Sequence, residues 1–128
     1  MDLKELRAKF IVEEDAMKAR LEPLVAKAML HCKVDKSGQV FITNTKLSSR
    51  DQLVLILAAR SIASELDPSI SPSVTVAEIG KFTGLPANQI RARGTDAIRG
   101  KFAEAPKPGT YRAIPHRIQV FLDSIGSR

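Results

Sequence analysis

The sequence contains no tryptophan, a single tyrosine and a single cysteine. Aromatic residues make up 5% of its 128 residues and hydrophobic residues 44%, so we expect a core built mainly from aliphatic side chains. The lone thiol of Cys32 cannot form an internal disulfide, which excludes a small disulfide-stapled fold and agrees with a reducing compartment. The length suffices for one hydrophobic core and a small accessory element.

Long apolar runs are also missing. No stretch approaches the roughly 18 apolar residues that cross a bilayer. The first ten residues, MDLKELRAKF, lack the apolar centre of a secretory signal. We therefore expect a soluble, cytoplasmic protein that makes no contact with a membrane.

Motifs for catalysis are equally scarce. His31 and Cys32 are adjacent, but no second pair of ligands follows at the spacing of a zinc site. The GKFTG stretch around Gly80 lacks the upstream glycine of a phosphate-binding P-loop. His116 has no evident serine or cysteine partner. The sequence predicts no enzymatic activity, no metal, no cofactor and no evident small-molecule ligand.

Positive charge, by contrast, is abundant and locally concentrated. The net charge is +6, and residues 88–117 hold seven lysines and arginines against two acidic residues, or +5. A basic patch of this kind is the electrostatic footprint of proteins that bind a phosphate backbone. The alternative is a solvated surface that only keeps the protein soluble.

The basic region begins within a 25-residue stretch, TVAEIGKFTGLPANQIRARGTDAIR, from Thr75 to Arg99. Thr75 and Glu78 have the spacing of a capping box, which predicts the start of a short helix. Gly84 fits a tight turn after it. Pro86 fits the first turn of a second helix, where its missing N–H costs nothing.

This stretch resembles the helix-turn-helix of the winged helix-turn-helix superfamily, whose prokaryotic members include transcription regulators. The matching features are small Gly80 where the helices would approach, Gly84 in the turn, and apolar Ile79, Leu85 and Ile90 around them. The resemblance implies that the second helix enters the major groove of double-stranded DNA. It also implies that a following β-hairpin, the wing, contacts the backbone or the minor groove.

The surrounding sequence fits that fold. Ser48 or Ser49 is placed to cap a long helix that is apolar on most faces and stops at Asp67. Strand candidates at 101–105 and 110–114 flank a turn at 106–109, and Pro115 can open a last helix. We expect a mostly helical α+β fold in which residues 47–128 form a winged helix-turn-helix domain.

Residues 1–46 are predicted to form a helical arm and a hairpin. Apolar spacing favours a helix over residues 3–29, with a kink or break at 20–23 because Pro23 lies inside it. A polar turn with Gly38 between Val34 and Val40 favours a β-hairpin. The arm either folds onto its own domain or joins two copies into a homodimer, and both alternatives stay open.

Individual DNA-contacting residues follow from the resemblance and from side-chain chemistry. Arginine can donate two hydrogen bonds to guanine, and asparagine or glutamine can pair with adenine. Arg91 and Arg93 are about 200° apart around a helix, so we expect one to contact bases and the other phosphate. The candidate site residues are Asn88, Gln89, Arg91, Arg93, Thr95, Arg99, Lys107, Tyr111 and Arg112.

Two of these positions carry open alternatives. Tyr111 either stacks on or bonds to DNA, or it packs the wing onto the domain. Gly94 stands in mid-helix, where glycine is unfavourable by roughly 0.5–1 kcal/mol relative to alanine. Either another helix approaches the backbone closely at Gly94, or the helix bends there.

The sequence therefore predicts a dimeric transcriptional regulator that binds double-stranded DNA sequence-specifically. One alternative is a winged-helix module that binds proteins instead, because a fold does not fix a function. The other is a protein that binds nucleic acid through its basic patch without sequence preference.

Overall fold

The computed structural model describes residues 2–10 and 14–126, which form a mostly helical α+β fold. The helices are α1 (Leu3–Phe10), α2 (Glu14–Met29), α3 (Ser49–Leu66), α4 (Val76–Thr83), α5 (Ala87–Arg99) and α6 (Ile118–Ile125). The strands are β1 (Cys32–Val34), β2 (Val40–Ile42), β3 (Val74–Thr75), β4 (Ala103–Lys107) and β5 (Thr110–Ala113).

Helix α3 is the centre of the core. The Ser48 hydroxyl accepts a hydrogen bond from the Asp51 backbone N–H at 3.2 Å, so the predicted N-cap is confirmed. From Leu53 to Leu57 every side chain is at most 2% exposed. This burial on all faces is possible because α2, α5, α6 and both small sheets pack around α3.

Helix α2 runs through Pro23, so of the predicted kink or break at 20–23 the break is wrong. Pro23 is exposed, and water can therefore bond the carbonyl that a proline leaves without a donor. Leu24 and Val25 pack against the core on the other side and hold the helix in place. Apolar residues recur every seven positions at 3, 10, 17 and 24, and the side chains at 10 and 17 lie outside the described residues.

The end of α2 and the hairpin after it pack into the same hydrophobic core as α3. Lys27 Nζ lies 2.6 Å from Asp123 Oδ1 on α6. His31 is fully buried, and its Nε2 lies 2.7 Å from the Gly126 carbonyl oxygen at the end of α6. Cys32 and Val40 belong to the same buried cluster as α3. Residues from 21 onward are therefore held by contacts within the chain.

The partners of the His31 ring determine its tautomer. Asn44 Oδ1 accepts from the Lys46 N–H at 3.0 Å, which turns the amide nitrogen of Asn44 towards His31 Nδ1 at 2.8 Å. Because a carbonyl only accepts, the ring proton lies on Nε2, facing Gly126. Both ring nitrogens are thus engaged in joining the hairpin to α6.

The predicted hairpin is confirmed. Strands β1 and β2 are antiparallel, with Val34 opposite Val40, and Gly38 in the turn has φ of 89°. Asp35 Oδ1 accepts from Ser37 and Gln39 across the turn. These bonds lower the pKa of Asp35, with the Ser37 hydroxyl contributing most. Asp35 therefore stabilises the β1–β2 turn.

Helices α4 and α5 are joined by a short turn as predicted. The capping box of Thr75 and Glu78 is present, and Gly84 has φ of 77° at the end of α4. A Cβ at Gly80 would lie 3.4 Å from the Ile90 side chain, which confirms the close approach of the two helices. Pro86 is the N-cap of α5 and precedes its first turn, so its predicted position is wrong by one residue.

A three-stranded antiparallel sheet follows in the order β3-β5-β4. Strands β4 and β5 occupy the predicted region, but β4 continues through Lys107 and the turn narrows to Pro108 and Gly109. Gly109 has φ of 74°, the left-handed conformation that a tight connection requires. The two-residue strand β3 was not predicted, because Val74 and Thr75 become a strand only through pairing with β5.

The C-terminal helix is also confirmed. Pro115 opens a single 3₁₀ turn that leads into α6, and Gly126 ends it. The apolar positions at i, i+3, i+4 and i+7 are all buried. They are Ile118, Phe121, Leu122 and Ile125.

A buried arginine connects distant parts of this fold. Arg60 on α3 is 5% exposed and donates to the carbonyl oxygens of Ser71 at 2.8 Å and Gly38 at 3.0 Å. Its Nη1 also lies 2.9 Å from Glu78 Oε2. One guanidinium thus links the β1–β2 turn, the loop before β3 and the capping box of α4. We call these residues the Arg60 cluster.

Candidate nucleic-acid interface

Helix α5 presents two different faces. Ile90, Gly94 and Ala97 are buried against the core, at the three- and four-residue spacing of one helix face. The opposite face is exposed and polar. Its exposed side chains include the predicted residues Asn88, Gln89, Arg91, Thr95 and Arg99.

Arg91 and Arg93, whose roles the sequence did not distinguish, have different environments. Arg91 is exposed, whereas Arg93 is half-buried at the edge of the packed face. Arg93 Nε lies 3.1 Å from Asp96 Oδ2, but its N–H does not point along a hydrogen bond to any described atom. Arg91 is therefore available to a partner of α5, and Arg93 is partly neutralised within its own helix.

The hydroxyl of Thr95 makes a hydrogen bond within α5. Thr95 Oγ1 donates to the Arg91 carbonyl oxygen at 3.1 Å. Thr95 as a whole is exposed.

No side chain caps the N-terminus of α5. The N-cap is Pro86, whose side chain has no acceptor, and its carbonyl accepts from Gln89 and Ile90 at 3.0 Å. The first turn contains no acidic residue. A 13-residue helix with this uncapped, non-acidic start favours a negative charge at its N-terminus.

Tyr111 lies against Gly94. A Cβ on Gly94 would lie 2.7 Å from Tyr111 Cζ, closer than real Cβ contacts come, and Tyr111 is 7% exposed. Tyr111 therefore packs the hairpin onto the domain, which is one of its two predicted roles, and its buried ring leaves little surface for stacking on DNA. At Gly94 the predicted close approach of another helix is wrong, because the nearest neighbour is the side chain of a strand residue, and α5 continues through Gly94.

The β4–β5 hairpin supplies a second basic surface beside α5. Lys107 is exposed next to the turn. Arg112 is also exposed, but it is paired with Glu104, its cross-strand neighbour. Within the described chain Lys107 has no such carboxylate partner, so it is the freer of the two predicted cations on the hairpin.

Three further cations outside the predicted site also differ in their environments. Lys81 on α4 is exposed. The guanidinium carbon of Arg117 lies 4.8 Å from the centre of the Phe102 ring, and that of Arg50 lies 6.0 Å from it. Arg117 therefore makes a cation–π contact with its own domain and does not simply face solvent.

An apolar groove lies away from α5, between α2, β1 and the second half of α3. Its volume is about 290 Å³. We call it the α2–α3 groove. Cys32 lies in its wall, 3% exposed, and burial raises the pKa of this thiol to about 11. The thiol is consequently uncharged and a poor nucleophile at neutral pH.

The described residues hold no group of three or more histidine, cysteine, aspartate or glutamate side chains that could bind a metal ion. None of the helices within 2–10 and 14–126 is long and apolar enough to cross a membrane.

Comparison with known proteins gives one partial similarity. The chain is 30% identical over 83 residues to UDP-N-acetylglucosamine 1-carboxyvinyltransferase from two strains of Thermus thermophilus. The match covers 65% of this chain and 19% of the enzyme, so the chain spans about a fifth of the length of these relatives. No family model matches the sequence. No solved structure matches it either.

Proposed function

We propose that residues 47–126 form a winged helix-turn-helix domain that binds double-stranded DNA, with α5 in the major groove. The observation that carries the proposal is the composition of α5. Its inner face is buried, and its outer face combines exposed arginines with Asn88 and Gln89, the side chains that read base edges. The protein would act as a sequence-specific transcriptional regulator.

The order of elements supports the same proposal. A core helix precedes the α4–turn–α5 unit, and an antiparallel hairpin with exposed Lys107 follows it. In the winged-helix arrangement, the hairpin stands beside the recognition helix and contacts the DNA backbone. The buried contact of Tyr111 with Gly94 fixes the hairpin on α5, so both basic surfaces are held on one rigid unit.

The environments of the arginines suggest their roles. Exposed Arg91 would donate to bases, and half-buried Arg93 would hold a phosphate after releasing Asp96. The uncapped start of α5 would take a second phosphate. Arg112 would contribute less than Lys107, because Glu104 already neutralises it.

We propose binding and not catalysis as the role of this chain. The match covers only 19% of the similar transferase, and the single thiol here is buried with a raised pKa. The transferase reaction is therefore not part of the proposal.

A selection of bound sequences from a random duplex pool tests the proposal directly. We expect an enriched motif, together with binding to random duplex that weakens with salt at a log–log slope of about −0.9 per phosphate contact. Binding with the salt slope but without a motif would favour a non-specific nucleic-acid protein. No duplex binding at low salt would contradict the proposal and favour a protein-interaction module.

We also propose that the protein is a homodimer joined through α1. Leu3 is 84% exposed and Leu6 is 45% exposed, which leaves apolar surface on a short helix uncovered. Light scattering on the L3D/L6D double variant tests this, with K4D as a control on the same helix. A halved mass for the double variant alone supports the dimer, and an unchanged mass contradicts it.

A further inference from the structure

The α2–α3 groove has the composition of a site for an aliphatic ligand. Of the described residues that line it, ten are apolar, and none of these is aromatic. Val25 and Ala28 come from α2, and Ile62 and Ala63 from α3. The volume of about 290 Å³ is just below the range for drug-sized ligands, about 300–1,000 Å³. A short, flexible aliphatic chain fits such a space.

The rim of the groove is charged. Lys33 and Lys36 are exposed, and neither has an ion-pair partner within the described part of the chain. The two acidic rim residues are already engaged in turns of their own. Asp35 Oδ1 accepts from Ser37 and Gln39, and Asp67 Oδ1 accepts from Ser69 at 2.7 and 3.0 Å. The rim thus carries two positive and two negative charges, and the lysines are the groups on it that can pair with an anion.

We propose that the α2–α3 groove binds a small aliphatic carboxylate, with its chain between α2 and α3 and its carboxylate at Lys33 and Lys36. The apolar walls are the complement of the aliphatic chain, and Lys33 and Lys36 are the complement of its carboxylate. The proposal does not depend on DNA binding, because it rests on residues outside α5 and the β4–β5 hairpin.

Calorimetric titration of the full chain with hexanoate, octanoate and decanoate tests the proposal in the absence of DNA. Each added methylene should raise the affinity about fourfold, as long as the chain fits the groove. Octanol, which has the same chain without the charge, should bind more weakly than octanoate. Saturation at one ligand per chain is expected.

Matched variants locate the site. A63L fills the groove, since Ala63 is 7% exposed in its wall, whereas A26L adds the same atoms at an exposed position of α2. We expect loss of octanoate binding in A63L and unchanged binding in A26L. K33Q/K36Q keeps the core intact and should weaken octanoate at least fivefold while leaving octanol unchanged. K46Q, at an exposed lysine outside the groove, is its control.

Three results would overturn the proposal. The first is octanoate binding that A63L and K33Q/K36Q leave at the wild-type affinity. The second is an affinity that does not depend on chain length. The third is that the wild type does not bind octanoate and that A63L has a different molar mass from the wild type. In that case the groove would be an interface between copies of the chain.

Discussion

The backbone of Gly94 on α5 lies against the ring of Tyr111 on β5, so closely that a Cβ on Gly94 would meet Tyr111 Cζ at 2.7 Å and the hydroxyl oxygen at 2.8 Å. The glycine is thus required by packing between a helix and a strand. The contact also explains why a residue with poor helix propensity stands in the middle of α5.

The variant G94A should destabilise the protein. Alanine improves helix propensity by about 1 kcal/mol, but the added methyl group displaces a buried ring, and overpacking of this kind costs about 1–3 kcal/mol. We expect a net loss of about 1 kcal/mol in the free energy of unfolding, measured in urea. G80A is the control, because a Cβ there would lie at 3.4 Å, and it should be neutral or stabilising. Equal effects of the two substitutions would contradict the explanation.

The Arg60 cluster predicts a large loss of stability in R60M. The substitution removes a buried charge with four hydrogen bonds and leaves carbonyls of the β1–β2 turn and the following loops without a donor. We expect a loss of about 2–4 kcal/mol by urea denaturation. K27M removes an exposed ion pair with Asp123 and should cost less than about 1 kcal/mol. Similar losses in both variants would disprove the special role of Arg60.

The lowered pKa of Glu78 predicts how the stability of the fold depends on pH. Burial raises the pKa of this carboxyl, but hydrogen bonds from Arg60 and Thr75 outweigh it, and the net pKa is lowered from 4.5. A lowered pKa means that the ionised group stabilises the folded state above pH 4.5, and that this contribution is lost as the pH falls below that value. The wild type should therefore lose more stability than E78Q between neutral and acidic pH. Parallel curves for the two proteins would contradict the prediction.

The different environments of Arg91 and Arg93 predict different effects on DNA binding. If Arg91 contacts a base, R91A should flatten the base preference at one position of the selected motif, at a cost of about 1–3 kcal/mol. R93A should weaken binding to all sequences alike and reduce the salt slope by about one. The control is K27A on α2, which also removes one positive charge but lies outside α5 and the β4–β5 hairpin. The assignment is wrong if R93A alters the motif and R91A does not.

Much of the fold follows from signals that are local in the sequence. The Thr75–Glu78 capping box, the glycine turn at Gly84 and the four buried positions of α6 each depend on residues within a few positions of one another. Helix α3 was predicted because nearly every residue of its central run is apolar. Elements of this kind need no knowledge of distant parts of the chain.

The features that sequence reasoning missed depend on contacts between distant residues. Arg60 carries no local sign that it will be buried, since its partners lie 11 to 22 positions away. Strand β3 exists only because β5 pairs with it. Pro23 remains helical because Leu24 and Val25 pack on the core. In the candidate site, the pairing of Arg112 with Glu104 depends on the register of β4 and β5, which the turn residues alone do not fix.

Tyr111 also gives the protein a built-in optical reporter. It is the only tyrosine in a chain without tryptophan, so intrinsic fluorescence excited near 280 nm comes from this one ring. Because the Tyr111 ring is buried against Gly94 of α5, its emission reports whether the hairpin is docked on α5. The opening of this junction can therefore be followed in the unlabelled protein, separately from the unfolding of the helices.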